Sequence, residues 1–88
     1  MEKEIRLRVK KDLDSKQHKN ILALKGSLIA QRYTDIIHIS DEDEDYHINS
    51  FSVVPEQEIT ILHYINIYLR EKSLEQAVTL IQAAGKLN

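Results

Sequence analysis

The sequence predicts an α+β domain: a small three-stranded antiparallel-type sheet with helices on one face, in the order β-α-β-β-α-α. Three observations carry that expectation. Glu4 to Lys10, "EIRLRVK", alternates apolar and charged residues with period two, the pattern of a half-buried strand. "SKQHKNILALKGSLIAQ" and "EQEITILHYINIYLRE" space their apolar residues at helical intervals. Between them, "RYTDIIHIS" and "YHINSFSVV" are rich in strand-forming residues and flank a run of acids, as in a hairpin with a solvated turn.

In the first strand Ile5, Leu7 and Val9 face the core, and Arg6, Arg8 and Lys10 face away from it. Asp14 or Ser15 caps the first helix, whose stripe is Ile21, Leu24 and Leu28 with Leu22 and Ile29 beside it. Gly26 weakens that helix by about 1 kcal/mol relative to alanine, or ends it. Pairing Ser40 with Asp45 gathers Ile37, Ile39, Tyr46 and Ile48 on one face of the hairpin and sets His38 opposite His47 on the other. Beyond Ile48 the alternation slips, because Phe51 and Val53 fall on the histidine face. A bulge near Asn49 or Ser50 is therefore expected.

Pro55 opens the second helix, with Glu56 and Glu58 complementing the dipole of its first turn. Ile61, Ile65, Tyr68 and Leu69 form its buried stripe. Ser73 then starts "SLEQ", a capping-box pattern, and Leu74, Ala77, Val78 and Ile81 make the stripe of a third helix that runs to Ala84 before Gly85. There is no repeat and no linker, so residues 1–88 are expected to form a single domain.

With 88 residues, 42% of them apolar and 30% charged, the chain has the composition of a folded domain with a small core. The absence of cysteine excludes disulfides, thiolate zinc sites and a Cys nucleophile, and makes the cytoplasm the expected location. Met1 to Lys11 lacks the apolar run of a signal peptide, and Ile59 to Leu69 is too short to span a bilayer, so no membrane association is expected. The net charge of −2 hides an asymmetry: residues 1–32 hold nine Lys and Arg against four acids, whereas residues 33–88 hold three against ten. Such a division steers charged partners, unless the two sets interleave in space.

The acidic run is Asp41, Glu42, Asp43, Glu44 and Asp45. Asp41, Asp43 and Asp45 fit the first three ligand positions of an EF-hand loop, but Tyr46 replaces the required glycine and Ser52 the closing glutamate, so a solvated turn is the better reading. His38 and His47 are ligand types that zinc accepts, without an identifiable third ligand; His18 and His63 have no evident partners. G-x-S-x-G, a glycine-rich phosphate loop and H-E-x-x-H are all missing. No nucleophile and base can be placed together, so the expectation is a protein that is not an enzyme, with no catalytic, cofactor or metal residues.

The segment "IRLRVKKDLDSKQHKNILALKG" resembles the ribbon-helix-helix family of DNA-binding proteins: a short basic strand, a helix, and a glycine before a second helix. The likeness covers about the first third of the chain. It implies that strands of two subunits pair into a ribbon entering the major groove, with Arg6, Arg8 and Lys10 as the base readers.

Non-covalent work is thus expected. The leading reading is a small regulatory or adaptor module that binds a protein partner through charged surfaces at the basic strand and the acidic turn, with open sheet edges that also favour a homodimer. A ribbon-helix-helix-like DNA binder using Arg6, Arg8 and Lys10 ranks second. An acidic inhibitor that mimics nucleic acid through Asp41 to Asp45 ranks third.

Overall fold

Chain alternation and capping chemistry explain most of the elements. The computed structural model describes residues 3–81. In chain order these form β1 (Lys3–Lys10), α1 (Ser15–Ala30), β2 (His38–Asp41), β3 (Tyr46–Val53), a 3₁₀ turn (Pro55–Gln57), α2 (Glu58–Glu71) and β4 (Val78–Ile81). The sheet is antiparallel throughout and ordered β2-β3-β1-β4. Each helix therefore crosses over one intervening strand, which is the split β-α-β, or ferredoxin-like, topology.

β1 forms as its alternation dictates. Ile5, Leu7 and Val9 are buried, and β3 pairs with β1 along its whole length, from Lys3 opposite Val53 to Lys10 opposite Tyr46. α1 starts at Asp14, whose carboxylate accepts the Gln17 N–H at 2.7 Å while the Gln17 side-chain oxygen accepts the Asp14 N–H at 3.2 Å. This reciprocal box satisfies two of the donors that a helix start leaves free. Gly26 does not end the helix: α1 runs on to Ala30 and buries Ile21, Leu24 and Leu28. Pro55 opens the 3₁₀ turn that leads into α2, where Ile61, Ile65 and Leu69 are buried.

Four strands replace the expected three, and the final element of the described chain is a strand. The reason lies at Ser73. Its backbone is left-handed, at φ 56°, and the Leu74 N–H bonds to the Leu69 carbonyl at 2.8 Å while the Ser73 N–H bonds to that of Arg70 at 3.2 Å. This pair of bonds closes α2 as a Schellman motif. "SLEQ" is thus a helix end followed by a single turn, and the Leu74, Ala77, Val78 spacing that suits a helix also suits a turn entering a strand. β4 then pairs Arg6 to Val9 on the free side of β1. Ala84 and Gly85, the expected end of a third helix, lie outside the described residues. α1 ends the same way, with Arg32 at φ 64° and the Tyr33 N–H bonded to the Leu28 carbonyl at 3.0 Å.

The hairpin forms, but in another register. Ile39 lies opposite Asn49, Ser40 opposite Ile48 and Asp41 opposite His47. His38 sits opposite Ser50, so the two histidines occupy opposite faces. No bulge interrupts β3 against β1. The side chains of β3 cannot all be accommodated, because Phe51 and Val53 share one face whereas Tyr46 and Ile48 share the other. Phe51 and Val53 win the helix-covered face and are 1% and 2% exposed. Their pairing brings Asn49 and His47 into the same row.

The helices cover that face and are tied to each other by tyrosine hydroxyls. Tyr68 donates to the Asn20 carbonyl at 2.9 Å, and the Tyr64 hydroxyl bonds to the Ser27 hydroxyl. Tyr33 meets Tyr64 edge to face, with centroids 5.6 Å apart. Among the described residues, no helix is long and apolar enough to cross a membrane.

Three substitutions test this packing. A Cβ at the exposed Gly26 meets nothing within 4 Å, so Gly26→Ala gains about 1 kcal/mol of stability; Ser73→Gly gains a few tenths to about 1 kcal/mol, as relief of left-handed strain exceeds the added freedom of the unfolded chain. Urea unfolding measures both. Burial, then the neighbouring Tyr64, raises the pKa of Tyr68. Because the folded chain holds this proton more tightly than the unfolded one, the contribution is complete below about pH 10 and is lost as pH rises through the folded value. Tyr68→Phe accordingly loses about 1 kcal/mol at neutral pH with its hydrogen bond and shows a shallower alkaline decline in melting temperature.

Candidate functional site

The two charged surfaces read from the sequence are one structure. Arg6, Arg8 and Lys10 project from β1 onto the face of the sheet that the helices leave open, as do Tyr46, Ile48 and Ser50 of β3. The acidic turn folds back over the end of this face. Arg8 grips Glu42 with two hydrogen bonds, Nε to Oε1 at 2.7 Å and Nη2 to Oε2 at 2.8 Å, and its guanidinium lies 5.5 Å from the centre of the Tyr46 ring. The hydrogen bond to Glu42, and then the charge of Glu42, hold Arg8 more firmly protonated than usual. Lys11 approaches Asp41 at 3.4 Å, and Arg6 approaches Glu4 at 3.0 Å.

The turn itself is built by Asp43. Its Oδ1 accepts the backbone N–H groups of Asp45 at 2.8 Å and Tyr46 at 3.0 Å, the Asx geometry that makes aspartate a turn residue. Among the described residues, Glu44 and Asp45 are the acids of the run whose carboxylates carry no ion pair or hydrogen bond. They line a hollow with Lys10 and Lys11. Arg8 and Lys11 of the basic part thus pair with Glu42 and Asp41 of the acidic run, and the acids form no row of free carboxylates among the described residues. Nor do three His, Asp or Glu side chains gather to hold a metal among the described residues.

The ribbon-helix-helix likeness does not extend to the fold. That mode needs β1 at a free edge to pair with a second subunit, but β3 and β4 occupy its two edges. The segment that the resemblance makes a second helix instead leads through Thr34 to Ile37 into β2, the strand expected there.

Two further features lie around β2, the first an open edge of the kind expected from the sequence, the second not singled out by it. First, β2 is an edge strand whose four residues are all exposed. Near it, Ile36 and Ile39 are 62% and 58% exposed, and on α1 Leu22 and Ile29 are 54% and 45% exposed. Second, a cavity of about 200 Å³ lies beneath α1, lined by Leu22, Lys25, Ile39, His47 and Asn49 among others. Asn49 is 2% exposed, and its Oδ1 makes no hydrogen bond. The Nδ1 of His47 is also buried and unbonded; Asp41 Oδ1 lies 3.2 Å from it, an ion-pair distance without hydrogen-bond alignment. Burial lowers the pKa of the Lys25 ammonium. A larger hollow, beside the start of α1, is lined by Asp14 and Gln17, whose polar groups already serve the helix cap.

The signal for both features was present but incomplete. The slip in alternation after Ile48 marked the place where a polar residue had to enter the core, and a bulge was only one of the two ways to resolve it. No known family, characterised protein or solved structure matches the chain.

If Glu42 masks Arg8, Glu42→Gln lengthens retention on a heparin column at low salt, and the gain disappears in the Arg8→Ala background. Equal retention of Glu42→Gln and the parent chain shows that Arg8 is not masked.

Proposed function

We propose that this chain is a small non-enzymatic protein-binding module that receives an extended segment of a partner protein along the free edge of β2. The observation that carries the reading is the exposed edge together with four large apolar side chains left in water, Ile39 on β2, Ile36 just before it, and Leu22 and Ile29 on α1. An added strand satisfies both needs at once: its backbone completes the hydrogen bonds, and its alternate side chains cover α1 and Ile39. The partner segment that fits has large apolar residues at every second position.

Charge and size favour such a segment over a second copy. Antiparallel pairing of two β2 strands sets the acidic turn of one copy beside Asp35 of the other, twice over, and like charges placed opposite each other destabilise a sheet. A four-residue edge and four apolar side chains also fall well short of the roughly 20–30 residues a side that a stable interface uses. They suit transient capture of a peptide. The basic strand and the acidic turn, which charge marked as binding surfaces, also brace each other through Arg8 and Glu42.

Selection of random peptides on the immobilised chain tests this directly. Enriched peptides are expected to alternate large apolar residues, to shift the backbone amide resonances of His38 to Asp41, and to lose at least about tenfold in affinity against Ile39→Asp. Failure to enrich any peptide, or binding indifferent to Ile39→Asp, overturns the proposal. So does a dimer mass by light scattering at high micromolar concentration that reverts to monomer in Ile39→Asp, since the edge then belongs to a second copy.

A further inference from the structure

We propose that the partner segment received by β2 carries a glutamate among its inward apolar residues, and that the cavity beneath α1 takes this side chain, its methylenes against Leu22 and Ile39 and its carboxylate at the Lys25 ammonium. The inference rests on strand addition at the β2 edge and names the chemistry which that edge selects.

The first argument is position. Leu22 and Ile39 belong both to the exposed patch beside β2 and to the lining of the cavity, so edge and cavity are one surface. Ile39 lies opposite the buried Asn49, and therefore on the side of the sheet that α1 covers. A strand added outside β2 directs every second side chain to that same side. On α1, Leu22, Lys25 and Ile29 follow one another at i, i+3 and i+7 and share one flank of the helix. The inward side chains of the added strand thus meet an apolar residue, a cation and a second apolar residue.

The second argument is charge. Lys25 is partly buried in the lining, where desolvation disfavours its charged form, and among the described residues no carboxylate lies within ion-pair distance of it. Lys10, Lys11 and His18 line the cavity with it, and no acidic residue does. Asp41 approaches from the end of β2, but it reaches Lys11 and His47. An ammonium partly removed from water without a counter-charge favours a carboxylate that arrives with the ligand. Lysine or arginine on the partner is repelled by the same groups, so the inward polar residue is an acid.

The third argument is size. At about 200 Å³ the cavity is smaller than the roughly 300–1,000 Å³ that holds a drug-sized molecule. At the ~30 Å³ that a water molecule occupies in the liquid, it has room for about six or seven heavy atoms, which is one long side chain. Glutamate suits it better than aspartate, because the extra methylene covers apolar wall while the carboxylate reaches across to α1.

The test is selection of random peptides in parallel on the immobilised parent chain and on Lys25→Met. Sequences enriched on the parent chain are expected to hold a glutamate two positions from a large apolar residue; on Lys25→Met the apolar alternation persists and glutamate falls to its background frequency. Replacing that glutamate by glutamine in an enriched peptide is expected to weaken binding to the parent chain roughly 2- to 5-fold, the worth of a half-exposed ion pair, and to leave binding to Lys25→Met unchanged. Should Lys25→Met lose its dispersed amide spectrum, Lys25→Glu serves in its place and is expected to enrich lysine at the same position. Alternating apolar peptides without an excess of glutamate, or an equal loss on glutamine replacement for both chains, overturn the pairing with Lys25 and leave strand addition standing. If no peptide is enriched on either chain, or bound peptide shifts no amide resonance from His38 to Asp41, strand addition itself fails and this inference falls with it.

Discussion

One constraint governs the molecule: a strand has two faces, and β3 carries apolar residues on both. Phe51 and Val53 occupy one face, Tyr46 and Ile48 the other. Each large side chain that leaves water contributes on the order of 1.5–3 kcal/mol, so either row has a claim on the helices. β1 decides. Its own buried row of Ile5, Leu7 and Val9 must share a face with one of the two, and the register sets Ile5 beside Phe51. The consequences run outward from that pairing. Asn49 and His47 are drawn into the row behind, where they border the cavity, while Tyr46 and Ile48 are turned to the open face beside Arg8 and Thr79.

The open face shows how charge follows register. Nothing in the order of residues connects Arg8 with Glu42, which are 34 positions apart. They meet because the hairpin delivers the acidic turn to the end of β1, where the Lys11 N–H bonds to the Asp45 carbonyl at 2.9 Å. Basic and acidic segments that look like independent surfaces in one dimension become a brace in three. Partly exposed pairs of this kind contribute little to stability, but they fix orientation and screen the field each charge would project alone.

Much of this was legible beforehand. The alternation of "EIRLRVK", the cap at Asp14, the stripes of both helices and the proline that opens the second follow from local chemistry, which a short window of sequence contains in full. The hairpin was legible as an element but not in register, because the choice between two apolar rows on β3 is made by β1, some forty residues away. β4 was misread for a similar reason. Ser73 is as good a helix start as a helix end; the left-handed turn it adopts is selected by Leu74, which is fully buried beside Leu69 in the core. The cavity could not be read at all, since it arises where tertiary packing leaves a polar side chain without a partner. Its only trace in the sequence was the broken alternation at Asn49.

The placement of β1 at the centre of the sheet also shapes how the chain reaches its native state. Its partners β3 and β4 both follow it in the chain, so β1 is synthesised before either strand it pairs with. Contacts of such long sequence separation slow folding, because loop closure precedes any reward from pairing. A strand held open in this way is a nucleus for aggregation. The arginines and lysine that alternate along it are the residue types that oppose such association.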